Sequence, residues 1–138
     1  MGSHLEQIAF HLIRQLFQEH TSLWQVSIPQ LTKPQYSVIR AIAEQPGIEQ
    51  IELMEASVTS KATLAEILAR LEKRGLIYRQ QGANDKRRRL VFLTNEGQSL
   101  LRSAIPLANQ VDDYFLKRLK EQERSEFIRL LKTMIHTD

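Results

Sequence analysis

Apolar residues recur at Ile8, Leu12, Ile13, Leu16 and Phe17, with Glu6, Gln7, Arg14, Gln15, Gln18 and Glu19 between them. That is a helical period, and it predicts one long amphipathic helix over Leu5 to Trp24. Thr32 then reads as an N-cap, with Pro34 just inside a second helix that carries Tyr36, Val38, Ile39 and Ile42 and stops at Pro46-Gly47. Ile48, Ile51, Leu53 and Met54 predict a short helix ending near Ala56, and Thr59-Ser60 opens another through Leu64, Ile67, Leu68 and Leu71. Gly75 closes it, preceded by Lys73 and Arg74, whose charges suit the negative end of the helix dipole. The period then shortens to two. Leu76 to Gln80 and Arg89 to Leu93 read as strands joined through Gly82, Asn84 and Asp85, a β-hairpin around a basic loop. Thr94 caps a further helical region whose stripe runs from Leu100 through Ala104, Ala108 and Val111 to Leu119. Pro106 is expected to kink or break that helix, since proline lacks the backbone donor and clashes with the preceding turn. Phe127, Leu130, Leu131, Met134 and Ile135 form a final helical face. Neither an internal repeat nor a low-complexity tract interrupts this order.

Composition narrows the chemistry. With 138 residues, 42% of them hydrophobic, the chain can bury the core of one domain and is not a disordered tail. The count of zero cysteines removes disulfide scaffolds, thiol catalysis, thiol-based sensing and cysteine-ligated zinc together. His4, His11, His20 and His136 contain no i, i+4 pair, so no metal site is expected. The chain has no P-loop, no Gly-x-Ser-x-Gly and no dinucleotide fingerprint, so neither an enzyme nor a cofactor is expected. Apolar runs are short, and no apolar h-region follows the start Met1-Gly2-Ser3-His4, which resembles a cloning remnant. A soluble, cytoplasmic chain without a membrane span is the expectation.

Charge is distributed unevenly. The net charge is +3, yet between Thr59 and Gly97 nine basic residues face four acidic ones, a local +5 that leaves −2 for the rest. A basic central third held by a near-neutral scaffold is the footprint of a DNA-facing lobe, although a solvated charged face has the same composition.

The order helix, helix, recognition-type helix, hairpin is that of a winged helix-turn-helix, in which one helix enters the major groove and the hairpin tip reaches a minor groove. The runs LTKPQYSVIRAIAEQPGI and LAEILARLEKRGLIYRQQGANDKRRRLVFLTNEG make the pattern specific. They resemble the MarR family of bacterial regulators, whose signature is a Leu-Glu-Lys-x-Gly-Leu-Ile helix end followed by Asp-x-Arg, a short strand, Leu-Thr and Gly. The resemblance covers nearly the whole chain. It implies a mainly α fold, a winged helix-turn-helix with flanking N- and C-terminal dimerisation helices. The expected single domain over 1–138 has its DNA-binding lobe at 30–97 and its dimerisation helices at 5–29 and 98–138.

The resemblance also implies a wing arginine in the minor groove, oriented by an ion pair with the aspartate two residues earlier; these positions are Arg87 and Asp85. A narrow minor groove concentrates negative potential and accepts a guanidinium at little desolvation cost, while Lys86, Arg88 and Arg89 are placed to meet phosphates. Ser60, Lys61, Ala62 and Thr63 form the first turn of the recognition helix, where backbone N–H groups and short hydroxyls take a phosphate and small side chains allow close approach. Glu66 and Arg70 follow on the same face. Many members of the family carry a basic residue where Glu66 stands. This acid either accepts from a cytosine amino group or pairs with Arg70 and reads nothing. Ser57-Val58 is a second departure, because an apolar residue and then glycine are usual in this turn; a differently shaped turn is expected.

Members of the family commonly bind a small anionic aromatic effector, for which Arg14, Tyr36 and Arg40 are the candidates here; the same residues also suit core packing and surface ion pairs. The implied partners are a pseudo-palindromic double-stranded DNA operator, a second copy of the chain and such an aromatic acid, in a repressor. A winged-helix protein-interaction module is the alternative.

Overall fold

The computed structural model describes residues 4–136; the Met1–Ser3 part of the start read as a cloning remnant lies outside them. A 3₁₀ turn at His4–Gln7 leads into α1 (Ala9–Ser27). There follow α2 (Lys33–Glu44), β1 (Ile48–Glu49), α3 (Gln50–Ala56), α4 (Lys61–Lys73), β2 (Ile77–Gln81), β3 (Arg89–Leu93), α5 (Asn95–Leu116) and α6 (Glu121–Ile135). The described residues form two compact units, one holding the segments up to Ser27 and from Leu107 onward, the other Ile28–Pro106. No helix among them is long and apolar enough to cross a membrane.

The Ile28–Pro106 unit is the winged helix. Thr32 accepts the Gln35 N–H at 3.2 Å while the Gln35 side chain accepts the Thr32 N–H at 3.0 Å, a reciprocal cap that fixes the start of α2. From α2, Val38, Ile39 and Ile42 are buried, joined in the core by Leu53, Leu64, Leu68, Leu71, Ile77 and Val91. Helix α4 ends in a Schellman turn: Leu76 N–H bonds Leu71 C=O, Gly75 N–H bonds Glu72 C=O, and Gly75 sits at φ +74°. Thr94 then ties the strand to α5, accepting the Gly97 N–H at 3.0 Å and donating to the Gly75 carbonyl at 2.6 Å. Gly97 is required at this junction, because a Cβ there would stand 2.1 Å from the Leu76 carbonyl oxygen.

The sheet corrects the expected two-stranded hairpin. It has three antiparallel strands in the order β1-β3-β2, with Ile48 opposite Val91 and Tyr78 opposite Phe92. Ile48, read from its spacing as helical, belongs to β1; its side chain is buried in the sheet core and the helix begins only at Gln50. Pro106 does not break α5, which continues through it, and the division between the two units falls immediately after it. Loss of one donor to the Arg102 carbonyl is tolerable in so long a helix.

The other unit comprises α1, the end of α5 and α6. It buries Trp24, Ala108 and Val111, while Phe10, Phe17, Met134 and Ile135 are each more than half exposed in the single chain. His20 is half-buried and meets the Asp112 carboxylate at 2.6 Å, with Phe17, Trp24 and Phe115 as ring neighbours.

Candidate nucleic-acid interface

Helix α4 is capped by Ser60, whose hydroxyl oxygen accepts the Thr63 N–H at 3.2 Å and whose O–H reaches the Thr63 hydroxyl at 2.9 Å. The two hydroxyls therefore organise the first turn, and Lys61, Ala62 and Thr63 stand exposed on it. Leu64, Ile67, Leu68 and Leu71 anchor the opposite face, leaving Glu66 and Arg70 exposed on the outward one. Glu66 and Arg70 make no ion pair with each other. Of the two roles open to Glu66 in the sequence, the structure does not form the pairing.

Val58 adopts a left-handed conformation in the turn ahead of α4. Its φ is +55°, and the Val58 and Thr59 N–H groups bond the carbonyls of Glu55 and Met54 in the pattern that ends α4 at Gly75. Buried Ser57 secures the bend by donating to Leu53 C=O and meeting the Thr59 hydroxyl at 2.9 Å.

The wing is built around Asp85. Its carboxylate accepts the Arg87 backbone N–H at 3.0 Å and the Arg87 guanidinium at 3.1 and 3.3 Å. These bonds, the guanidinium's first, hold the Asp85 carboxyl below its ordinary pKa and keep it an acceptor. The Arg87 side chain nevertheless remains 92% exposed. It is thus held at its base and open to solvent. Gly82 N–H bonds Arg88 C=O and Arg88 N–H bonds Asp85 C=O, closing the loop between β2 and β3.

The remaining basic residues divide into two sets. Arg88 is drawn onto β1 by Glu49 at 2.5 Å, and Arg79 is held by Glu72 at 2.8 Å, with Gln50 at 3.5 Å. Lys86 and Arg89 are exposed on the wing. Lys61 and the wing arginines border a cleft of about 460 Å³ floored by Ile51, Met54 and Leu64. Of the effector candidates, Arg40 donates to the Tyr36 hydroxyl at 3.0 Å and lies 3.9 Å from Glu44, and Arg14 is an exposed residue of α1. Among the described residues, no three His, Asp or Glu side chains gather as metal ligands.

Residues 31–88 match the MarR family. Over 133 residues the chain is 56% identical to the transcriptional regulator HosA of Escherichia coli O157:H7, covering 96% of this chain and 98% of that protein. The chain belongs to the MarR family. The family's transcriptional regulators are non-enzymatic DNA-binding proteins, and this chain, as a member of that family, is not an enzyme. It is also 34% identical to the HTH-type transcriptional repressor NicR of Pseudomonas putida, covering 96% of this chain and 85% of NicR. BpsR of Bordetella bronchiseptica, a MarR-like fold whose DNA binding is regulated by 6-hydroxynicotinic acid, superposes with a TM-score of 0.92 at 28% identity over all of both chains.

Two contributions to the interface were not legible beforehand. Glu49 pairs with Arg88, one of the four wing cations, and its signal is faint, a single acid in a two-residue strand about 40 positions from its partner. The Ser57 hydroxyl holds the turn in which Val58 is left-handed, a role that only the backbone reveals.

Proposed function

We propose that this chain is a homodimeric, cytoplasmic repressor that binds a pseudo-palindromic operator and releases it when a small aromatic acid binds. The observation that carries the reading is the wing: Asp85 spends its hydrogen-bonding capacity on Arg87 while leaving that guanidinium 92% exposed. An arginine tethered in this way has lost much of the freedom it would otherwise lose on entering a minor groove. Ser60, Lys61 and Thr63 present a phosphate-binding first turn, and Lys86 and Arg89 add exposed cations for the backbone.

The first unit supports self-association. Phe10 is 67% exposed, Phe17 62% and Ile135 72%, and an apolar surface of this kind on terminal helices favours burial against a second copy. Two-fold pairing would set the recognition helices roughly 34 Å apart, one turn of DNA. NicR is a named repressor, and the regulation of BpsR by a hydroxylated pyridine carboxylic acid supports an effector of that class. Arg14, Tyr36 and Arg40 are the residues proposed to take its carboxylate and ring. Such an effector acts only through its differential affinity for the DNA-competent and DNA-incompetent arrangements.

The test is fluorescence anisotropy with the duplex upstream of this chain's own gene and a scrambled duplex, across a salt series. Binding at least about a thousandfold tighter to the first is expected, and Arg87→Ala should weaken it by about 1–3 kcal/mol. Absence of binding to any duplex would return the chain to the protein-interaction module.

A further inference from the structure

We propose that Glu66 selects a cytosine in each operator half-site, its carboxylate accepting a hydrogen bond from the N4 amino group in the major groove. This rests on the DNA-binding reading above. Three observations converge on the residue. First, Glu49, Glu72 and Asp85 are each paired with an arginine, Arg88, Arg79 and Arg87 respectively, whereas Glu66, like Glu52, Glu55 and Glu96 of the same unit, is not. Glu66 is exposed with no such partner, although Arg70 stands one turn away. Second, with Leu64, Ile67, Leu68 and Leu71 buried, Glu66 lies on the opposite, outward side of α4. Third, the exposed positions around it, Ala62, Ala65 and Ala69, are short, so Glu66 is the one long side chain on the middle of that face.

A carboxylate carried into a polyanion is repelled unless it meets a donor, and the base edges restrict what it can meet. Guanine and thymine present acceptors in the major groove, O6 and N7 or O4, which repel it. Adenine offers its N6 amino group beside the N7 acceptor, so attraction and repulsion oppose each other there. Cytosine presents the N4 amino group with no neighbouring acceptor, and it is the base to which glutamate is suited. The alanines let the helix backbone approach closely enough for a side chain of this length to reach the base edge. Lys61 and Arg70, exposed on the same helix, offset the field of the flanking phosphates. Because the operator is two-fold, the preference falls at one base pair in each half-site.

The experiment replaces every base pair of the tightest duplex obtained from a randomised pool, one at a time, and measures affinity for the unmodified chain, Glu66→Ala and Glu66→Gln. The unmodified chain should lose about ten- to a hundredfold when the C·G pair read by Glu66 in either half-site is replaced. Glu66→Ala should bind all four bases at that pair within about twofold while keeping every other preference, and Glu66→Gln should move the preference there to adenine. Glu66→Gln retains size and shape, so it reads the position independently of any packing change in the alanine variant. A Glu66→Ala profile matching the unmodified chain at every base pair would overturn the proposal and leave the DNA-binding reading intact. An unmodified chain with no base preference on any duplex would overturn both, and that arm alone reports it.

Discussion

Replacing Val58 by glycine should stabilise the protein. Val58 occupies φ +55° at the left-handed end of α3, where its Cβ and two branches crowd the following carbonyl. That conformation costs an L-residue roughly 1–2 kcal/mol. Nothing is gained in return from burial, because the side chain is 91% exposed. Glycine removes the penalty but adds freedom to the unfolded chain, a cost of roughly 0.5–1 kcal/mol. The balance is a gain of about 1 kcal/mol for Val58→Gly, or about 3 °C in melting temperature for a chain of this size. Val58→Ala keeps a Cβ in the left-handed region and should change stability by less than about 0.5 kcal/mol. Urea and thermal unfolding at one fixed chain concentration measure both, since self-association would otherwise enter the comparison. If Val58→Gly melts at or below the unmodified protein, the turn is not held left-handed in solution and the reasoning fails.

Gly97→Ala should destabilise by about 3 kcal/mol, because a Cβ 2.1 Å from the Leu76 carbonyl forces the strand and helix apart; an unchanged urea midpoint would contradict this. Asp85→Asn removes a negative charge from the wing proposed to face DNA, so simple charge counting predicts tighter binding. The ion pair with Arg87 predicts the reverse, a several-fold weaker complex with the operator duplex by anisotropy. The Glu72 carboxyl is held below its ordinary value of 4.5, first by its hydrogen bond from Arg79 and further by that residue's charge. Its folded pKa is the lower one, so this pair contributes stability above about pH 4.5 and loses it as pH falls through the folded value. Glu72→Gln should therefore flatten the decline of stability between pH 5 and 3, an effect that salt weakens, and parallel unfolding curves would refute it.

Where one residue both sets local geometry and marks a boundary, the sequence is readable. Thr32 caps α2, Gly75 ends α4 in a left-handed turn, and Thr94 caps α5, each by side-chain or backbone chemistry that acts within a few positions. The alternation in Arg89 to Leu93 likewise appears as β3. What escaped depends on distant partners. Ile48-Glu49 is too short to show a strand period, and its assignment to β1 comes from pairing with Leu90 and Val91. The Glu49 partner of Arg88 is likewise set by that same pairing. Val58 misled for a different reason: its residue type argues against a left-handed turn, but the Ser57 hydroxyl and two helix-terminating hydrogen bonds impose one. At Pro106 α5 continues unbroken even though the proline has no backbone donor to give. On the wing, the Asp-x-Arg spacing carries the Asp85–Arg87 geometry, whereas an i, i+4 spacing permits a Glu66–Arg70 pair without enforcing one.

In the proposed complex, two copies of the chain place two recognition helices in successive major grooves of one operator. Hydroxyl-radical footprinting of the duplex upstream of the gene reads this arrangement. Two symmetric protected half-sites centred about 10 base pairs apart are expected, with additional minor-groove protection outside each that disappears in Arg87→Ala. A single asymmetric footprint, or protection spread evenly along the duplex, would contradict it.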